Sequence, residues 1–243
     1  MRFVPRFIRR RHPLRFYATV GKGRWWRWPV LIATSYVAVA VVGNAVVIGS
    51  TLVVEVTGPE VVLDEPDLPR IRNFRRVDDK LYSGAQPTNA AFADLAALGV
   101  TLVVDLRTGD LGDPILDDPE FLATLGVEYL PLPLTDGHAP PPELVARFFE
   151  AVEENDGAVY MHCGGGVGRS GALQAAYLNA TGDDFSVPEY LAVGPPTVEQ
   201  LYYVWRGEPG DLPESNVLVA TLSRFVIDGP RTLLTWGRGL ITG

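Results

Sequence analysis

Cys163 and Arg169 stand six positions apart around Gly164-Gly165-Gly166-Val167-Gly168, in a chain of 243 residues with no other cysteine. Five intervening residues, four of them glycine, can curl so that successive backbone N–H groups point at one anion. The helix-like segment that follows, Gly171-Ala172-Leu173-Gln174-Ala175-Ala176-Tyr177, adds its positive N-terminal end. The stretch reads as a cup for one phosphate. A cysteine on its rim sits among N–H dipoles, a helix N-terminus and a guanidinium, surroundings that lower a thiol pKa from about 8.5 to roughly 3.5 to 7.5. Arg169 offers a planar fork that matches two phosphoryl oxygens, which lysine cannot do. Ser170 can donate a hydrogen bond to the sulfur and so help it leave when a phosphocysteine is hydrolysed. The bland alternative for a lone cysteine, a small buried apolar residue, fits this glycine-rich setting poorly.

The motif His162-Cys163-x5-Arg169-Ser170 resembles the signature of the cysteine-dependent protein tyrosine phosphatases, dual-specificity branch. Upstream, Val77-Asp78-Asp79-Lys80-Leu81-Tyr82-Ser83-Gly84-Ala85-Gln86-Pro87-Thr88 and Leu95-Ala96-Ala97-Leu98-Gly99-Val100-Thr101-Leu102-Val103-Val104-Asp105-Leu106-Arg107 are similar to the entry region of compact bacterial and fungal members. The resemblance covers about residues 70–206. Relatives often carry an arginine where this chain has Ser83, so no role for that arginine carries over. The resemblance implies that Cys163 is the nucleophile, that Gly164, Gly165, Gly166, Val167, Gly168 and Arg169 bind the phosphoryl group, and that a mobile loop supplies an acid. It also suggests that His162 holds the loop through backbone carbonyls; tuning the thiolate directly is the other role open to it.

A departing phosphomonoester oxygen must be protonated. Asp136, in Leu132-Pro133-Leu134-Thr135-Asp136-Gly137-His138-Ala139-Pro140, lies 27 residues before the cysteine, where the resemblance places the acid. An aspartate in such a loop can also be a plain turn former. Asp105, at a strand end, and Asp110 are the reserves, with Asp105 read as structural and His138 as a loop occupant. The three histidines, His12, His138 and His162, and the committed cysteine leave no set of ligands for a structural zinc. Backbone amides and Arg169 neutralise the phosphoryl charge, so no metal or other cofactor is expected.

The elements that must position these groups alternate. Residues 90–98 read as a helix ended by Gly99, residues 101–106 as a buried strand, residues 118–125 as a helix and residues 127–132 as a second strand. Pro140-Pro141-Pro142-Glu143 opens an amphipathic helix to about Glu154, followed by the strand Ala158 to Met161, the loop and its helix. Helices are expected near residues 187–193 and 197–205. This alternation predicts an α/β fold, a mostly parallel sheet flanked by helices.

Two features lie outside that domain. Residues 1–28 hold nine Arg or Lys and no acid, leaving 12 basic against 29 acidic residues in the rest. The acidic body argues against nucleic-acid binding. From Trp28 to Val54 no residue is charged; as a helix this run reaches about 40 Å, against roughly 30 Å for a bilayer core. Trp25, Trp26 and Trp28 would anchor its basic end. A cleaved signal and a buried helix are the alternatives. The expected organisation is a basic leader (1–28), a transmembrane helix (29–54), a linker (55–70), a phosphatase domain (71–207) and a C-terminal extension (208–243). That extension carries an apolar stripe of Leu218, Leu222, Phe225 and Val226, and a last patch of Leu233, Leu234, Trp236, Leu240 and Ile241 that packs on the domain, on another copy or on the membrane surface.

The expected protein is a single-pass cell-membrane phosphatase whose N-terminus, by its charge, is cytoplasmic. It would act on a phosphorylated protein or a small phosphomonoester. The loop Gly-Gly-Gly-Val-Gly holds no basic side chain, which points to phosphopeptides; a phosphoinositide or other small phosphate is the alternative. A phosphate-binding membrane scaffold without turnover is the reading from a different class.

Overall fold

The computed structural model describes residues 27–58, 69–110, 113, 118–183, 185–208 and 215–229. Most of the basic leader, much of the linker and the patch from Leu233 to Ile241 lie outside the described residues. The chain divides after Val39 into two compact units.

The first unit's described part is the beginning of α1 (Arg27–Thr57), where Trp28, Val30, Leu31, Ile32 and Val37 are exposed. The second unit starts within the same helix and contains everything else. There Ala40, Val47 and Thr51 fall on one buried face. Asn44, the polar residue that interrupts the apolar run, donates its amide to the Ile227 carbonyl at 2.6 Å. The helix begins two residues before the expected span and runs three beyond it.

Five strands form the sheet of the second unit: β1 (Arg75–Arg76), β2 (Leu81–Gly84), β3 (Val100–Asp105), β4 (Glu128–Pro131) and β5 (Ala158–His162). Their order is β1-β2-β5-β3-β4, with β1 antiparallel to β2 and every other pairing parallel. The strand that delivers the cysteine is therefore central. Successive side chains on a strand point to opposite faces, and the pleat sorts the apolar run accordingly. Leu102, Val104, Val159 and Met161 enter one core with Val145, Phe148 and Leu173. Val103 and Tyr160 enter the other with Phe74, Phe92, Leu95 and Leu122. Each large side chain fully buried this way contributes about 1.5 to 3 kcal/mol.

Helices α2 (Asn89–Ala97) and α3 (Pro119–Thr124) cover the second face; α4 (Pro142–Glu154) and α5 (Gly168–Thr181) cover the first. Their ends follow local chemistry. Thr88 caps α2 by accepting from the Ala91 N–H at 3.3 Å, and Asp118 caps α3 just before a proline that fits the first turn. Gly99 and Gly126, each just past a helix end, adopt the left-handed φ that glycine tolerates, +87° and +71°. Every residue of α5 from Arg169 to Asn179 is buried, so the helix leaving the cysteine loop is the central pillar of this layer. Beyond it stand α6 (Val187–Val193), α7 (Val198–Arg206) and α8 (Val217–Leu222), the last continuing into a wider turn, Ser223–Ile227.

Candidate active site

The register of the parallel strands fixes where the site is. Gly84 pairs with His162, His162 with Asp105, and Asp105 with Pro131. The parallel strands thus end at one level, and the loops leaving them converge beyond their carboxyl ends, where open α/β sheets bind ligands. Those loops carry Ala85, Asp113, Asp136 and Cys163.

The glycine loop is turned inside out by its neighbours. The Gly164 carbonyl accepts from the Gln86 N–H at 3.5 Å, the Gly165 carbonyl from Asn73 Nδ2 at 2.8 Å, and the Gly166 carbonyl from Arg75 Nη1 at 2.7 Å. A trans peptide holds the N–H of the next residue antiparallel to the carbonyl, so outward carbonyls aim the amides of Gly165, Gly166 and Val167 inward. The Gly168 carbonyl is likewise taken by the Tyr190 hydroxyl at 2.8 Å, which aims the Arg169 amide inward. Gly166 needs its glycine twice over: φ is +71°, and a Cβ there would lie 2.5 Å from the backbone of Gly84 and Ala85.

Arg75 is the brace. Fully buried, it also donates from Nε to Gln174 Oε1 at 2.9 Å and from Nη2 to Ser83 Oγ at 2.9 Å. Burial pulls its pKa down to about 10, which leaves it charged at neutral pH.

Cys163 lies on the floor, buried, with Sγ accepting from the Gly166 N–H at 3.3 Å and 3.5 Å from Ser170 Oγ. Burial alone would push the thiol up. The Arg169 charge, the Ser170 hydroxyl and the N–H groups of Ser170 and Gly166 outweigh it and hold the thiol below its ordinary value. His162, fully buried, stacks on Tyr160 and sets Nδ1 3.4 Å from the Cys163 carbonyl oxygen.

Arg169 is held by one edge. Asp113 grips it with both carboxylate oxygens, Oδ2 on Nη1 and Oδ1 at 2.8 Å from Nη2, and Nη1 also donates to the carbonyls of Leu106 and Leu134, each at 3.2 Å. Burial works against the guanidinium's charge, but Asp113, the thiolate and Asp136 raise its pKa further. Asp113 is correspondingly held below the usual carboxylate range: burial raises it, and the hydrogen bonds and charge of Arg169 win. The Nε edge remains. Asp136 Oδ1 lies 3.3 Å from Nε, within ion-pair range but out of line with the N–H, so this buried donor has no hydrogen-bond acceptor among the described residues. That edge faces a cleft of about 520 Å³ lined by the loop, Arg72, Asp113, Asp136, Thr197, Gln200 and Asp228.

The loop carrying Asp136 is latched to the start of α7. Thr197 Oγ1 donates to the Gly137 carbonyl at 2.6 Å, Gln200 Nε2 to the His138 carbonyl at 3.1 Å, and the Ala139 N–H donates to Glu199 Oε1 at 3.0 Å. Glu199 is held from behind by Arg224 through two bonds of 2.6 Å. His138 is half-buried, and burial followed by the Arg224 charge lowers its pKa. Asp136 itself stays exposed.

The structure thus brings Cys163, Gly164 to Gly168, Arg169, Ser170 and Asp136 together. Asp110 takes the Thr108 hydroxyl at the surface, and His138 does not line the cleft. Asp105 lies beneath, fully buried, accepting from Arg107 Nε, Nη2 and N–H and from the Tyr129 hydroxyl. Sequence reasoning missed Asp113, Asn73, Arg75 and Arg72. Asp113 sits in a glycine-containing polar stretch that reads as a turn, and Arg70 to Arg76 reads as a basic surface run. The one available signal was the closeness of that run to the entry motif.

Comparison with known proteins places the chain in the same chemistry. A family described as DSP-PTPase phosphatase fused to NAD+ kinase matches residues 66–200. The tyrosine-protein phosphatase cdcA of Emericella nidulans is 32% identical over 96 residues, 38% of this chain and 15% of that protein. The human dual specificity protein phosphatase CDC14A is 40% identical over 53 residues, 22% of this chain and 9% of that protein. This chain therefore matches only a small part of either relative's length. Among solved structures, a candidate phosphatase of the DUF442 class from Shewanella putrefaciens CN-32 superposes with a TM-score of 0.49 at 23% identity, over 57% of this chain and 94% of that one.

Proposed function

The chain belongs to the family described as DSP-PTPase phosphatase fused to NAD+ kinase, and on that footing we propose that it hydrolyses phosphomonoesters through a phosphocysteine intermediate. The observation that carries this reading is the cup itself: a depressed thiol on the floor, amides turned inward by outward-held carbonyls, and a buried guanidinium with its Nε edge uncommitted. The Cys163 thiolate attacks phosphorus in line, the P–S bond forms as the ester P–O bond breaks, and Asp136 gives its proton to the leaving oxygen. Water then attacks the phosphocysteine, Asp136 takes a proton from it, and the thiolate leaves with help from Ser170. The inward amides and Arg169 hold the charge on the equatorial oxygens. The names of the relatives, tyrosine-protein and dual specificity protein phosphatase, support phosphorylated protein as the broad substrate class, and Arg72 supports the small-phosphate alternative. Full-length protein should hydrolyse p-nitrophenyl phosphate and show a covalent phosphocysteine at Cys163 on rapid denaturing quenching. A Cys163→Ser protein that cleaves the ester at the wild-type rate would end the reading.

We further propose that α1 tethers the enzyme to a membrane. The helix has 31 residues, a mean hydropathy of 2.3 over its most apolar stretch, and only 17% of that stretch buried. Carbonate extraction of the full chain tests the tether, and a reporter fused after Gly243 reads which compartment the site faces. Release of the chain into the soluble fraction would overturn it.

A further inference from the structure

The cysteine loop holds no basic side chain, yet the cleft has two. Arg169 comes from the loop's end and Arg72 from the segment leading into β1. We infer that Arg72 forms a second anion subsite beside the cup, and that the site is built for a small scaffold carrying two neighbouring phosphate groups. The inference rests on the phosphatase reading above and narrows its substrate.

Arg72 is presented by a fixed backbone. Its carbonyl accepts from the Ala85 N–H at 2.9 Å, and the next residue, Asn73, holds the Gly165 carbonyl at 2.8 Å. Asn73 adopts a left-handed φ of +56°, and its own carbonyl accepts from the buried Arg75 at 3.1 Å. The side chain is exposed and forms no ion pair among the described residues. Arg76, Arg107, Arg169 and Arg224, by contrast, are each paired with a carboxylate. Its charge is uncommitted where it meets the cleft.

Geometry sets the ligand. A Cβ placed on Gly165 would meet Arg72 Nη2 at 3.4 Å, so this guanidinium reaches the cysteine loop itself. Arg72 and Arg169 line one cleft of about 520 Å³, Arg72 against the loop at Gly165 and Arg169 from the loop's own end. Anions that satisfy both must be close neighbours on the ligand. Vicinal phosphates on a small ring or chain meet that condition. The carboxylate of a residue flanking a phosphotyrosine stands a whole aromatic side chain away from the phosphorus. Glycine at 165 keeps the intervening space clear, and a guanidinium matches phosphate oxygens in pairs. The number is limited too. The remaining ionisable groups lining the cleft among the described residues are Cys163 and the carboxylates Asp113, Asp136 and Asp228, so two cations meet two phosphates and a third finds only acids.

The test uses the full chain and compares kcat/KM for an inositol monophosphate with that for a vicinal inositol bisphosphate, soluble and on a diacylglycerol in mixed micelles. The expected preference for the bisphosphate is about tenfold, the size of one charged hydrogen-bonded contact, and is carried by KM. Arg72→Ala should bring the ratio close to one, Arg72→Glu below one, and Arg72→Lys should restore part of it. A preference in the soluble pair identifies a free small phosphate, and one confined to the micelle pair a lipid headgroup. A wild-type ratio near one, a ratio untouched by Arg72→Ala, or an Arg72 effect seen only on a glutamate-flanked phosphotyrosyl peptide would overturn the inference. Calorimetric binding of the same ligands to Cys163→Ser, with and without Arg72→Ala, reads the subsite independently of turnover. Loss of all hydrolysis with the binding preference intact would count against the phosphatase reading alone.

Discussion

Asp113 and Arg169 form a two-toothed contact across the rim of the cup, with Asp113 Oδ1 2.8 Å from Arg169 Nη2 and Oδ2 on Nη1. A guanidinium has two usable edges, and this pairing spends the outer one, which leaves Nε and the second Nη2 hydrogen for a phosphoryl group. Asp113 is thus a positioning residue. Asp113→Ala should lower kcat/KM by about tenfold to a hundredfold, the worth of a hydrogen bond to a charged group. Asp113→Glu should recover part of that loss, because a carboxylate can still reach the fork. Phosphate binding to the Cys163→Ser background should weaken in parallel. Equal activity in Asp113→Ala would show that the loop alone orients Arg169.

Asp136 stands 3.3 Å from Arg169 Nε, exposed on a loop held at Gly137, His138 and Ala139 by α7. A general acid matters most for leaving groups that leave badly. Asp136→Asn should therefore slow hydrolysis of an alkyl phosphate by about 10²- to 10⁴-fold and of p-nitrophenyl phosphate by much less. The basic limb of the pH profile should disappear with it. Equal losses on both esters would place the acid elsewhere.

The sequence reveals the fold and the loop because both depend on contacts between near neighbours in the chain. Unbroken apolar runs marked β3 and β5, which are buried on both faces, Gly99 and Gly126 ended α2 and α3 close to where expected, and Cys163, Arg169 and Ser170 share one loop and helix start. The partners that make the loop work come from far away in sequence. Arg75 reaches Gly166 across 91 residues, Asn73 reaches Gly165 across 92 and Asp113 reaches Arg169 across 56. No periodicity links such residues; only the register that ends the parallel strands at one level does. The loop itself holds no basic side chain, as its sequence shows; Arg72 enters the cleft from outside it, a placement no local pattern reveals.

The thiol of Cys163 is held below its ordinary value because the Arg169 charge, Ser170 and the inward amides prevail over burial. A lowered pKa means more thiolate at neutral pH, so alkylation by iodoacetamide should reach half its limiting rate below the ordinary thiol pKa of about 8.5. Ser170→Ala removes one hydrogen bond to the sulfur and should move that midpoint up. The chain has one cysteine, which makes the adduct count unambiguous. An alkylation midpoint at the ordinary thiol value would show that the cup does not activate the sulfur.

Arg224 acts on the acid loop at second hand, through Glu199. Arg224→Ala leaves the buried Glu199 carboxylate with the Ala139 N–H but without its cation. The loop should then loosen, lowering kcat several-fold on an alkyl phosphate while sparing the thiol alkylation rate. A double variant with Asp136→Asn should show no added loss, since the loop would have no acid left to position. Additive losses would show that Arg224 contributes only to stability.

Asp105 carries the fold beneath the site rather than the chemistry in it. Burial pushes its carboxyl up, but the Arg107 hydrogen bonds and charge, with His162 nearby, hold it below the usual carboxylate range. A depressed carboxylate contributes stability that is fully present above the unfolded value and is lost as pH falls through the folded one. The urea midpoint of the wild type should therefore fall on acidification below about pH 4. Asp105→Asn removes the Asp105 carboxylate from its buried ion pair with Arg107, and loss of one partner of a buried pair costs up to about 3 to 5 kcal/mol. Its midpoint should be low already at pH 7 and should change less with acid, because the group whose titration drives part of the loss is gone. Equal acid sensitivity in the two proteins would assign that loss to other carboxylates, Asp113 first among them, since its pairing with Arg169 depresses it in the same direction.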